Sequence, residues 1–118
     1  MVSKKSVRAL EKQADKLYQL KLIRLKPQSA VSGQPTEVIH HFIPKSQSNA
    51  LRYDYENGVP LTNKEHARHH LSGDPAIVAK VIEFYGMGWF DDLQSRRHQI
   101  CKNNKARLME VIEDLTKE

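Results

Sequence analysis

Cysteine is almost missing from this chain. Cys101 is the only one in 118 residues, so no internal disulfide can form and no cysteine zinc knuckle can be built. No apolar run approaches the roughly 20 residues that cross a bilayer, and the Lys-rich opening MVSKKSVRALEKQ lacks the apolar core of a secretion signal. The expectation is a cytoplasmic protein with no membrane partner. Internal repeats and low-complexity tracts are absent too. What is present, 39% hydrophobic and 28% charged residues, is ordinary globular composition. A chain of this length suits one domain over 1–118 with a modest core.

The net charge of +5 is unevenly spread. Residues 1–36 hold eight Lys or Arg against Glu11 and Asp15, a net of +6, whereas residues 37–74 carry −1 and residues 75–118 carry zero. A basic block of this kind attracts phosphates through counterion release, and a solvated helix face carries the same charge pattern.

Three regions follow from periodicity and breakers. Val7, Leu10, Ala14, Leu17 and Leu20 recur at three- and four-residue steps, which predicts a basic N-terminal helix within 1–28, ended by Pro27. EVIHHFI reads as a short strand stopped by Pro44, PKSQSNALRYDYENG as a long loop, and GVPLT as a second strand reached through an Asn57-Gly58 turn. Thr62 and Glu65 form a capping box that opens a helix running to about Gly73. Asp74, Pro75 and Gly86 have the chemistry of an N-cap, first position and terminator of another helix. One long helix is predicted from Gly88 or Trp89 to Leu115, with Leu93, Ile100, Leu108, Val111, Ile112 and Leu115 on its buried side. Trp89 and Phe90 suit a core anchor at its start.

Five of the six histidines fall in EVIHH, residues 37–41, and HARHH, residues 66–70. On a helix, His66 and His70 project from one face one turn apart, a bidentate metal clamp. His69 lies about 60° from His66 on the other side and could substitute for either. That clamp needs a third ligand. His40 and His41 are adjacent on a strand and leave on opposite faces. A division of labour follows: one imidazole coordinates metal and its neighbour takes a proton from water.

The order of HH, Asn57, His66 and His70 resembles the HNH, or ββα-metal, endonucleases. The double His, single Asn and helical HxxxH are similar to the nuclease domains of DNase colicins. The wider stretch TEVIHHFIPKSQSNALRYDYENGVPLTNKEHARHH looks more like phage HNH proteins of the recombination-associated NinG or Rap type. The resemblance covers residues 29–73. It implies an α+β fold, with a ββα-metal core of a short antiparallel hairpin plus helix at 29–73, flanked by the N-terminal helix and by C-terminal helices over 74–118. It further implies that His40, His66 and His70 bind one divalent ion, that His41 is the general base, and that Asn57 orients the His41 ring.

Many members of that family brace the core with a second, structural zinc on two CxxC pairs. Ser29 with Ser32, and Thr62 with Glu65, stand at those places here, so no cysteine zinc site is expected. An acidic residue often lies two before the first His, whereas Glu37 lies three before His40, and no catalytic role is assigned to it. Three imidazoles suit Zn, Ni, Co or Mn better than Mg, which prefers oxygen, although related enzymes work with several ions including Mg. The function expected is a phage-associated, monomeric, metal-dependent endonuclease that nicks DNA in the bacterial host cytoplasm. Arg52, Lys45, Lys64 and Arg68 flank the site as candidate phosphate contacts. The alternative is a non-catalytic DNA-binding module whose ion is structural.

Overall fold

In the computed structural model, which describes residues 4–117, a two-stranded antiparallel hairpin sits among five helices, an α+β architecture. The order is α1 (Val7–Leu25), β1 (Val38–His41), β2 (Gly58–Leu61), α2 (Asn63–Ser72), α3 (Pro75–Tyr85), α4 (Met87–Arg96) and α5 (Lys105–Thr116). No described helix is long and apolar enough to cross a membrane.

Helix α1 starts at Ser6, whose hydroxyl accepts from the Ala9 amide. Its buried face is Leu10, Ala14, Tyr18 and Leu22, packed with Leu108 and Leu115 of α5 and with Ile39 of β1. The buried stripe is rotated from the one expected: Val7 is 37% and Leu20 58% exposed. Tyr18 enters the core in their place, because its ring is apolar and its hydroxyl finds the Asp54 carbonyl at 2.7 Å.

Val38, Ile39, His40 and His41 pair with Leu61, Pro60, Val59 and Gly58. Pro60 is tolerated because its partner Ile39 directs its own N–H and C=O the other way, onto the side-chain amide of Gln19 at 2.8 and 2.7 Å. The outer edge of β1 is thus closed by α1. Gly58 lies where α1 crosses the hairpin, and a Cβ there would stand 2.5 Å from Leu22 and 2.6 Å from the Tyr18 hydroxyl.

The strands are not joined by an Asn57-Gly58 turn. Residues 42–57 make the connection, ending in one 3₁₀ turn at Tyr55–Asn57, and Gly58 is extended at φ −91°. Asn57 is fully buried. Its Oδ1 accepts from the Ile43 amide, and its Nδ2 donates to the Ile43 and Leu51 carbonyls. One amide therefore satisfies the Ile43 amide and carbonyl, which the loop would otherwise bury unpaired, and adds a second donor to the Leu51 carbonyl, which also accepts from the Asp54 amide.

Both arms of the Thr62–Glu65 capping box are present. Glu65 Oε1 also accepts from the Ser29 hydroxyl at 2.6 Å, and Ser29 Oγ in turn accepts from the Val31 and Ser32 amides. This buried knot ties the start of α2 to the 29–32 turn, while Glu37 accepts from the Asn63 amide beside it. Gly73 closes α2 in the left-handed region at φ 59°, and Asp74 caps α3.

The single long C-terminal helix is corrected to two. Helix α4 ends at Arg96, and Asn104 starts α5 by accepting from the Arg107 amide. Ile100, expected in the core, is 97% exposed in the intervening segment. Each half buries one leucine-bearing side, so the periodicity runs across a break that an Asn N-cap imposes. Trp89 is the anchor expected: its ring meets Phe42 and Tyr85, and its indole N–H donates to the Glu56 carbonyl.

Candidate metal centre

Strand β1 and helix α2 bring His40, His66 and His70 together. One ring nitrogen from each lies within 4.8 Å of the other two. Ring centroids are 5.3 Å apart for His40 with His66, 5.3 Å for His40 with His70, and 4.3 Å for His66 with His70. The one-turn spacing on α2 sets the last of these, and hairpin register sets the others.

The donor set fits a metal. His40 is 8% exposed, and burial first, then the neighbouring histidines, push it down to about 3. Burial, then His70 and His69, lower His66 as well. Both rings are therefore neutral at pH 7, the state in which imidazole offers a lone pair. His69 stands close by, 4.8 Å from His40 between centroids, and its Nδ1 is the one buried side-chain N or O among the described residues with no hydrogen-bond partner. Three imidazoles thus converge, with a fourth at their edge.

His41 leaves the opposite face of the strand, as alternation requires. Its Nε2 lies 2.8 Å from the Arg52 carbonyl oxygen, and its ring stacks on Tyr18 at 4.9 Å and 25°. A carbonyl only accepts, so Nε2 carries the hydrogen and Nδ1 is left with the lone pair. Burial lowers the pKa of His41, with Lys45 and Arg52 adding to that; the Arg52 carbonyl and Asp15 oppose it. His40, His41, His66, His69 and His70 line one cavity of about 320 Å³, together with Gln19 and Lys45.

The position of Asn57 differs from the one expected. Its hydrogen bonds go to Ile43 and Leu51, and none reaches the His41 ring. Orientation of that ring falls instead to Tyr18 and to the Arg52 carbonyl, with Asn57 holding the loop that delivers the carbonyl. Sequence reasoning missed Tyr18, Gln19, Asp15 and Glu11, all on α1; the amphipathic pattern of that helix marks it as packed but does not say against what.

The candidate phosphate contacts disperse. The Arg52 guanidinium is committed to Asp15, at 2.7 and 3.1 Å, and to Glu11 at 3.1 Å. Lys45 lines the cavity, about half exposed, with its Nζ 3.9 Å from Asp15. Lys64 is exposed on the first turn of α2 and Arg68 pairs with Asp74, and neither lines the cavity. No known family model, curated protein or solved structure matches the chain.

Proposed function

We propose that this chain is a metal-dependent endonuclease of the HNH type, with β1, β2 and α2 as its ββα-metal core, and that it nicks DNA. The observation carrying this reading is the opening of two chemically distinct groups into one cavity: a trio of converging imidazoles, and a separate imidazole whose basic nitrogen is spared from coordination.

A divalent ion held by His40, His66 and His70 would neutralise charge on the scissile phosphate and on the departing 3′-oxygen. Nδ1 of His41 takes a proton from the attacking water while Nε2–H stays on the Arg52 carbonyl, so the ring accepts the proton without turning. The new P–O bond forms as the P–O3′ bond breaks. The 3′-oxygen then picks up a proton from solvent, leaving 5′-phosphate and 3′-hydroxyl ends. Tyr18 limits rotation of the ring during this step.

One observation favours the second reading, a DNA-binding module with a structural ion: His69 stands beside the trio with its Nδ1 unpartnered, and a fourth nitrogen drawn into the set would close it, as structural sites are closed. Supercoiled plasmid incubated with Mg, Mn, Ni or Zn separates the two. The nuclease reading expects nicking that His41→Ala lowers by about 10²- to 10⁴-fold with metal binding retained, and that His66→Ala abolishes with metal binding lost. Intact plasmid in every ion favours the module.

A further inference from the structure

The two acids of α1, Glu11 and Asp15, are both drawn onto Arg52, and Asp15 also faces Lys45. Every other charged residue of the helix is basic: Arg8, Lys12, Lys16, Lys21 and Arg24. The pairing therefore strips α1 of negative charge toward solvent. Geometry then decides which cations matter.

At about 100° per residue, with Asp15 at zero, Gln19 falls near 40°, Arg8 near 20°, Lys12 near 60° and Lys16 near 100°. On α1, Glu11 and Asp15 reach Arg52, Tyr18 lies under the His41 ring, and Gln19 lines the histidine cavity. Arg8, Lys12 and Lys16 thus share the helix sector that borders the cavity. All three are exposed, and none makes an ion pair or side-chain hydrogen bond among the described residues. Lys21 turns elsewhere, donating to the Asp114 and Lys117 carbonyls at the end of α5. Lys5 donates to Gln13 and lies with Glu110 and Glu113 of α5. The cavity side of α1 is cationic, and its α5 side is compensated.

We propose that Arg8, Lys12 and Lys16, continued by Lys45 at the cavity, form a track for the phosphates of one strand of duplex DNA leading to the histidine site. The inference rests on the nuclease reading for the identity of its ligand. Arg8 to Lys16 spans about 12 Å, the axial rise of three to four phosphates at roughly 3.4 Å each along a strand. A membrane surface fits less well, because the apolar face of α1 is buried against α5 and β1 and is not free to enter lipid.

The test measures binding of a fluorescent DNA duplex in chelator-containing buffer, where no cleavage occurs, across a salt series. In the variant Arg8→Gln/Lys12→Gln/Lys16→Gln, affinity falls at least about tenfold, and the slope of log K against log salt flattens by about 2 to 3, at roughly 0.9 for each phosphate that the variant no longer neutralises. The same charge change at Lys80, Lys102 and Lys117 leaves the slope near that of the unmodified protein. Thermal melting checks that both variants fold.

An unchanged slope in the α1 variant overturns the track, as does a wild-type protein that binds no duplex or that prefers anionic vesicles or RNA. Plasmid nicking is scored separately. A flattened slope without any nicking by the wild type removes the nuclease reading and leaves the track standing; nicking with an unchanged slope does the reverse.

Discussion

His41 Nε2 and the carbonyl oxygen of Arg52 lie 2.8 Å apart, and the guanidinium of the same Arg52 grips Asp15 and Glu11 on α1. One residue thus anchors the 42–57 loop to the N-terminal helix with its side chain and orients the candidate base with its backbone. The carbonyl is only as well placed as that anchor makes it.

Arg52→Ala is therefore expected to slow nicking at saturating DNA while leaving KM within a few fold. It should also destabilise the fold by about 1.5–3 kcal/mol, the range for hydrogen bonds to charged groups. Arg52→Lys keeps the charge but loses the two-pronged grip on Asp15, and should restore stability only in part. Single-turnover cleavage beside urea denaturation measures both effects. Equal kcat in wild type and Arg52→Ala would remove Arg52 as a positioning residue.

Asn57 should register as a stability residue first. Asn57→Ala leaves the Ile43 amide and carbonyl unpaired in a buried loop, at a cost of about 1–3 kcal/mol per unsatisfied group, while the Leu51 carbonyl keeps the Asp54 amide. The urea midpoint falls accordingly, and metal affinity, set by β1 and α2, changes little. A variant of wild-type stability with cleavage abolished would instead put Asn57 in the chemistry itself.

The Asp15–Arg52 contact makes the fold acid-sensitive. Burial alone would raise the Asp15 carboxyl, but the Arg52 hydrogen bond and charge, with Lys45, outweigh it and hold the pKa below its ordinary value. A depressed carboxyl contributes stability that is present above the unfolded value, near pH 3.9, and is lost as pH falls through the folded one. Asp15→Asn should be less stable than wild type at neutral pH, and the two melting curves should converge below about pH 4. A constant gap at all pH values would refute the contribution.

His69 and His70 are separable by metal titration. With His40, His66 and His70 as ligands, His70→Ala should weaken metal binding strongly. His69→Ala should weaken it no more than the roughly 10- to 100-fold typical of a residue that supports ligands from outside the set. Reversed magnitudes would exchange the two residues; a severe loss in both would mean a four-nitrogen site.

Much of the site is written in local chemistry. The Thr62–Glu65 box, the Asp74-Pro75 start and the Gly73 and Gly86 stops are readable because each is a hydrogen bond or dihedral preference satisfied within a few residues. The HxxxH pair is likewise a consequence of helical pitch, and strand alternation separates His40 from His41. The break between α4 and α5 is not readable from periodicity, since Leu93, Leu108 and Leu115 fall within one stripe at helical spacing although they enter two different core clusters. Asn57 misleads for a related reason: Asn-Gly has the chemistry of a tight turn, but burial beside Ile43 and Leu51 gives its amide three backbone partners instead.

The sequence by itself determined the two histidine groups, the helix that presents one of them, the strand that presents the other, and the concentration of positive charge at the N-terminal end. These depend on spacings of a few residues, where backbone geometry leaves little choice. Tertiary structure alone decided that α1 lies against β1, with Gln19 closing the strand edge, Tyr18 under the His41 ring and Arg52 drawing in both acids. Those contacts join residues 20 to 41 positions apart, and they arise from packing of faces whose partners no local pattern names.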